Sequence, residues 1–352
     1  MKLLIVTQAV DTEDPILGFF VRWIEEFAKH VERIEVICLK EGKHDLPVNV
    51  RVHSLGKEKK PPRLWRRLVY TFRFLSLIWK LRHDYDVVFV HMNVEYVILG
   101  AIFWRLLGKK VGLWYLHKSV TLRLRIAVFL THYVFTGSQE SLRLQTPKMR
   151  ILGQGIDMEL FSSVPRKVPE VFTVLFVGRL SPVKDVETVI AAASLLRKRG
   201  IKIYVEIIGG AETPIQHRYE EKLKNLVREE HLQDSVRFVG GIPNREVPSY
   251  LARASVFVNP SRNGSLDKAG IEPMAAGLPV VSCNDSFYAI VEPYGLFFKE
   301  GDTEKLSLIL EWLVHNPGEA WNIGKSLQKE ARAHHNLPGL VASVMRILTK
   351  SR

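Results

Sequence analysis

Arg179 and Lys184 share one short stretch, Phe-Val-Gly-Arg-Leu-Ser-Pro-Val-Lys-Asp-Val-Glu-Thr-Val-Ile at 176–190, where an apolar run ends and helical spacing begins. A guanidinium grips two phosphate oxygens at once and an ammonium adds a point charge, so two cations on a strand-to-helix loop can flank a phosphate. A solvated loop with two incidental cations is the competing reading. A second stretch, 259–281, reads Asn-Pro-Ser-Arg-Asn-Gly-Ser-Leu-Asp-Lys-Ala-Gly-Ile-Glu-Pro-Met-Ala-Ala-Gly-Leu-Pro-Val-Val. Its turn, around Asn263, Gly264 and Ser265, leads through Asp267 and Lys268 into a helix carrying Glu272. Backbone amides at such a helix start suit phosphate, and a nearby carboxylate suits sugar hydroxyls. Taken alone, a Gly/Asn turn followed by a surface glutamate explains this stretch equally.

Loops of this kind need strands and helices to aim them. Residues 3–8, 34–39, 48–55, 86–92, 111–116 and 133–137 read as strands, and Phe20, Ile24, Phe27 and Val31 recur at helical spacing over 18–31. The run 86–92 is continuously apolar, as in a strand buried inside a parallel sheet. A second series starts near 172: strands at 172–180, 204–210, 236–240, 256–260 and 279–283, with helices at 185–199, 214–231 and 269–276. Strand–helix alternation predicts an α/β chain with two doubly wound, Rossmann-like domains, 1–160 and 161–335, joined around 153–167. The tail 303–350 is helical, and 336–352 is expected to reach back to the first domain. At each switch point the loops at the carboxyl ends of the strands are where ligands bind.

Together the two stretches resemble the donor-binding signatures of the family 4 glycosyltransferases. Gly178-Arg179-Leu180 with Lys184 matches the first, and Glu272-Pro273-Met274-Ala275-Ala276-Gly277-Leu278-Pro279-Val280-Val281 matches the second. Gly155-Ile156-Asp157 with Phe161 is similar to the family's linker motif, and Phe238-Val239-Gly240 with 247–261 to the run between them. The resemblance covers nearly the whole chain and is strongest after Gly153. It implies the GT-B fold, two Rossmann-like domains facing a central cleft, and retaining transfer from a nucleotide sugar without a bound metal or other cofactor. By resemblance Arg179 and Lys184 hold the donor diphosphate and Glu272 the ribose. The family's Glu-x7-Glu element places its first carboxylate at position 264, which is glycine here. Asp267 takes over that sugar contact, or the donor grip differs, or the enzyme is impaired. In the first half the resemblance implies a glycine-bearing loop after the first strand, matched loosely by Gly18, and a strand-end histidine facing the sugar. His117 matches that histidine best, with His91 a further candidate. Asp84-Tyr85-Asp86 imitates a metal-binding Asp-x-Asp, but Asp86 opens a buried strand and a three-residue match is common by chance.

The 352 residues carry a net charge of +13. Residues 1–160 hold 25 Lys and Arg against 16 Asp and Glu, a net of +9, which leaves +4 for the remainder. Residues 61–82 hold six cations, no acid and bulky aromatics throughout. A basic amphipathic helix with Trp and Phe can lie in an anionic bilayer surface. A core helix with a solvated cationic face is the alternative, and no nucleic-acid-binding module is visible. Two distant cysteines, Cys38 and Cys283, exclude a disulfide scaffold. Without a signal-peptide pattern or a membrane-spanning run, a cytoplasmic protein peripheral to the inner face of the plasma membrane is expected. Its acceptor would be a lipid-linked sugar or a nascent surface glycan. The rivals are a sugar-nucleotide epimerase of similar architecture and a catalytically silent sugar-binding protein at the membrane surface.

Overall fold

The computed structural model describes residues 1–14, 16–59, 65–262 and 264–350. The chain divides into two compact units, residues 1–155 with 337–352, and residues 156–336.

In the first unit the strands are β1 (Lys2–Val10), β2 (Arg33–Glu41), β3 (Val50–Ser54), β4 (Val87–His91), β5 (Lys110–Trp114), β6 (Tyr133–Thr136) and β7 (Met149–Ile151). The helices are α1 (Phe19–Ala28), α2 (Arg66–Lys80), α3 (Val94–Leu106) and α4 (Leu122–Leu130). All strands pair in parallel in the order β3-β2-β1-β4-β5-β6-β7, so the winding reverses between β1 and β4. A parallel sheet is covered on both faces, which is why Leu3, Leu4, Ile5 and Val6 are all buried without alternation. One face packs on α1, where Phe20, Ile24 and Phe27 are fully buried at the spacing the sequence shows. The other packs on α2, α3 and α4 through Phe74, Val97, Trp104 and Leu124.

In the second unit α5 (Met158–Ser162) leads into β8 (Thr173–Val177), α6 (Val186–Lys198), β9 (Tyr204–Ile208), α7 (Pro214–Glu229), β10 (Val236–Gly240) and α8 (Val247–Leu251). Then come β11 (Val256–Asn259), α9 (Lys268–Ala275), β12 (Val280–Ser282) and α10 (Tyr288–Val291). The sheet is again parallel, β10-β9-β8-β11-β12, and reverses between β8 and β11. The helical tail is built of three helices. Asn316 followed by Pro317 separates α11 (Thr303–His315) from α12 (Pro317–His334), because proline fits a first helical position but cannot continue a helix. The third, α13 (Leu337–Thr349), belongs to the first unit, where Leu340, Val341, Val344 and Leu348 pack in the same core as α1.

Strand β7 has no counterpart in the sequence reading. Its three residues are half-buried or exposed at a sheet edge, so no apolar run marks it. Asp84 and Asp86 are spoken for: Asp86 Oδ2 accepts from the Lys2 amide at 2.8 Å, and Asp84 pairs with Arg33 at 3.2 Å.

Candidate donor site at the second switch point

The loops after β8 and β11 lie side by side, because those strands are neighbours where the winding reverses. After β8, Leu180 is buried and pins the loop, while Arg179 beside it is exposed and makes no hydrogen bond to a described residue. A short 3-10 turn, Pro182–Lys184, ends at Asp185, whose φ of 45° is left-handed. That buried aspartate accepts from Thr188 Oγ1 at 2.8 Å and pairs with Arg262 at 2.9 Å, tying the start of α6 to the β11 loop. The sequence reading passed over Asp185 and Arg262. Their order along the chain gives no hint that they meet.

Lys184 and Asp267, expected to hold phosphate and sugar respectively, form an ion pair. Lys184 Nζ donates to Asp267 Oδ2 at 2.7 Å and to Ser261 Oγ at 3.1 Å, with both charged side chains only 14% exposed. Asp267 is the N-cap residue of α9, yet its side chain makes no capping bond and turns to the lysine instead.

Gly264, where the family pattern has a carboxylate, adopts φ 59°. Glycine takes that conformation freely, whereas a side-chain-bearing residue there is strained by roughly 1–2 kcal/mol. The turn is held from β12 outward: Ser286 Oγ donates to Gly264 O at 3.0 Å and Asn284 Nδ2 to Ser265 O at 2.7 Å. Asn284 and Ser286 were missed as site residues, and the only sequence signal was a polar pair just past a strand end. Asn263 lies outside the described residues.

Glu272 is buried on α9, one helical turn after Lys268. Burial pushes its carboxyl above the ordinary range, opposed by the Lys268 charge and by a hydrogen bond to Asn244. Burial likewise lowers the Lys268 ammonium, opposed by Glu272. Each charge stabilises the other.

Gly18 and His117 belong to the first unit. Gly18 closes the loop after β1, where a Cβ would meet Asp14 O at 2.7 Å and Thr12 O at 2.9 Å, so only glycine fits. Buried Asp11 orders the same loop by accepting from Lys40 Nζ at 2.9 Å and the Glu13 amide at 3.1 Å. Burial works to raise its carboxyl pKa, and the lysine and amide hydrogen bonds outweigh that and hold it below the usual value. His117 is exposed beyond β5, and its Nδ1 accepts from the Ser119 amide at 3.1 Å. That leaves Nε2 as the face available to a ligand. His91 is buried, stacked on Phe20 at 4.0 Å and bonded to Thr7 Oγ1 at 3.3 Å, which makes it a core histidine. No cluster of three or more His, Cys, Asp or Glu among the described residues could hold a metal ion.

Residues 157–333 match the family described as Glycosyl transferases group 1, and residues 14–115 match Glycosyl transferase 4-like. The chain therefore belongs to the glycosyl transferases group 1 family, and its fold is GT-B. Among curated relatives it is 31% identical over 183 residues to the amylovoran biosynthesis glycosyltransferase AmsK of Erwinia amylovora, spanning 49% of this chain and 43% of that one. It is 30% identical over 152 residues to a GDP-mannose-dependent alpha-(1-6)-phosphatidylinositol monomannoside mannosyltransferase of Mycobacterium tuberculosis, spanning 39% and 38%. The chain thus spans less than half the length of the curated relatives it matches. Among solved structures, Anabaena Alr3699/HepE in complex with UDP superposes with a TM-score of 0.78 at 18% identity, covering 99% of this chain and 100% of that one.

Proposed function

We propose that this chain is a glycosyltransferase that moves a hexosyl group from a nucleoside-diphosphate sugar to a lipid-linked or glycan acceptor in glycan biosynthesis, with retention at the anomeric carbon. The observation that carries the reading is the switch-point cluster: exposed Arg179, the Lys184–Asp267–Ser261 bridge, and Glu272 on the helix behind it. The UDP held by the HepE structure, the amylovoran biosynthesis named for one curated relative and the phosphatidylinositol monomannoside named for another support the same chemistry.

In this reading Arg179 and Lys184 stabilise the charge that builds on the departing diphosphate, with the turn amides of 264–267 adding dipoles. The bond from the anomeric carbon to the diphosphate breaks while the acceptor oxygen bonds to that carbon on the same face. The acceptor proton passes to a diphosphate oxygen, so no protein nucleophile and no resident cofactor or metal enters. Asp267 stands in for the carboxylate missing at Gly264. Its pairing with Lys184 fixes its orientation, ready to accept from a sugar hydroxyl. His117 and Gly18 shape the acceptor side.

The chain acts at a membrane surface through α2. Only Phe74 and Ile78 of that helix are buried, while Trp65 just before it, Leu68, Phe72 and Trp79 are more than half exposed among Arg66, Arg67, Arg73 and Lys80. A core helix would bury more of these apolar side chains than two. Each cation near an anionic leaflet adds about 1 kcal/mol. No helix among the described residues is long and apolar enough to cross a membrane.

The test is nucleotide release from a panel of nucleotide sugars by wild type and Arg179→Ala, each with a glycan or lipid acceptor extract. Release from one donor, reduced about 10²–10³-fold in kcat by the substitution, is the expected result. Binding of a nucleotide sugar with no release under any acceptor would move the chain to the sugar-binding class.

A further inference from the structure

The amino edge of the second sheet holds a cavity of about 650 Å³ that plays no part in the donor site. It opens where Phe172 leads into β8 and Ser255 into β11, with the end of α11 and the start of α12 as its walls. Ligand pockets commonly measure about 300–1,000 Å³, so a small molecule fits. The donor loops leave the opposite, carboxyl ends of the same strands, so the two sites are separate.

The lining divides into an apolar wall and a surplus of positive charge. Val171, Phe172, Leu313, Val314 and Trp321 form the wall, and Val168 and Val171 are exposed at the mouth. Arg166 enters from the segment before β8. Its Nη1 donates to Gly277 O at 2.5 Å and its Nη2 to Ala254 O at 3.3 Å, and its guanidinium lies over the Trp321 ring at 4.9 Å. All three partners are neutral. Burial lowers this guanidinium to a pKa of about 10, and no carboxylate opposes the shift. Charges withdrawn from water are normally paired, because an uncompensated one is costly. Its Nε is sealed from solvent without a partner, so Arg166 acts on a ligand through charge rather than through a hydrogen bond from that atom.

Lys202 stands at the rim, exposed, with no hydrogen bond or ion pair to a described residue. Glu170 is the one acid in the lining and pairs with neither cation. Two cations against one acid leave room for one anionic group. A purely structural clasp would account for the two carbonyl bonds of Arg166. It would not account for an open apolar wall beside them or for a second cation at the mouth.

We infer that this cavity binds a single-chain amphiphile with an anionic head, the head on Lys202 with its charge offsetting Arg166, and the tail along Val171, Phe172, Leu313 and Val314. Ammonium and guanidinium groups suit a carboxylate or a phosphate monoester. A second cavity, of about 690 Å³, shares Pro169, Val171 and Lys202 with the first, so a longer tail has a path along the same edge of the sheet. The amphiphile comes either free from solution or from a bilayer. The site is independent of the transferase reading and stands or falls on its own.

The probe is decyl phosphate, kept below its critical micelle concentration and titrated into the full chain by calorimetry. Saturable binding is expected, with butyl phosphate weaker by about a hundredfold or more because most of the apolar tail is gone. Neutral decanol should bind about tenfold more weakly or worse, since the charged contact is lost. Lys202→Gln and Val171→Asp should each weaken decyl phosphate by about tenfold or more. Both side chains are exposed, so a melting temperature within about 2 °C of wild type should accompany that loss. Phosphatidylglycerol vesicles separate the two sources. If the chain carrying Leu68→Ser and Phe72→Ser still sediments with them, and adding Val171→Asp removes the remainder, the head belongs to a bilayer lipid. No remainder assigns it to a free amphiphile, and either result keeps the site. Absence of saturable binding by wild type, or binding that Lys202→Gln and Val171→Asp leave unchanged, overturns it. Equal affinity for decanol removes the anionic head and with it the proposal.

Discussion

Lys184 and Asp267 should fail in different ways when separated. Lys184→Ala leaves a nearly buried carboxylate without its counter-charge, which costs about 1–3 kcal/mol of stability in addition to the loss of a phosphate contact. Asp267→Asn keeps the shape and frees the ammonium. Tighter UDP binding together with lower kcat for the intact nucleotide sugar is the expected signature, read by calorimetry and initial rates. A rise in kcat would remove Asp267 from the sugar contact. Gly264→Glu restores the family carboxylate in sequence but not in geometry, since φ there is 59°. Lower thermal stability with no gain in rate is expected from a melting curve and a turnover assay. At this scale the sequence was legible for residue types and blind to partners. Arg179, Lys184 and Glu272 stood out by motif, but the Lys184–Asp267 and Asp185–Arg262 pairs join positions 83 and 77 apart, and no local pattern encodes such a meeting. His91 shows the limit from the other side: a strand-end histidine looks identical in sequence whether it faces a ligand or, as here, stacks on Phe20.

At the scale of elements, strand and helix positions followed from hydrophobic period, and the exceptions have physical causes. β7 is too short and too exposed to show a period, and the tail's breaks are set by Asn316-Pro317 and by the turn before Leu337. The face of α2 was ambiguous in sequence because aromatics serve both cores and interfaces. The prediction for it is binding of phosphatidylglycerol vesicles that weakens steeply between 50 and about 300 mM salt, as surface charges are screened over roughly 10 Å at 0.1 M. Leu68→Ser with Phe72→Ser should abolish sedimentation with vesicles while leaving the melting temperature within about 2 °C, since both side chains are exposed. Unchanged sedimentation would return α2 to an ordinary solvated helix. In the second unit, His335 just beyond α12 is buried and its Nδ1 has no partner among the described residues. Burial lowers its pKa to about 4, so the folded state holds it neutral. The unfolded chain, near 6.5, binds the proton first, so stability is complete above pH 6.5 and falls as pH drops toward 4. The loss approaches about 3 kcal/mol at 1.36 kcal/mol per unit, and His335→Asn should flatten that stretch of the denaturation profile.

For the molecule as a whole, each unit has its own buried core, one built on β1–β7 and one on β8–β12. Calorimetry is expected to resolve two transitions. UDP at a hundredfold excess over Kd stabilises the unit that binds it by about 2.7 kcal/mol, a shift of roughly 5–10 °C for a unit of this size. The shifted transition should be the one left unmoved by Val344→Asp, a substitution in the core of the first unit. A shift in the other transition would relocate the nucleotide.

The placement of α13 also bears on how the chain is made. Phe20, Trp23 and Phe27 share their core with Leu340, Val341 and Leu348, which leave the ribosome more than 300 residues later. At 5–20 residues per second, the stretch from 155 to 348 takes about 10–40 s to synthesise. Throughout that interval the second unit can fold to completion while the first displays an open apolar groove along α1. Nascent chains of this protein should therefore engage holdase chaperones through α1. Release should come only when the last helix emerges to seal the groove.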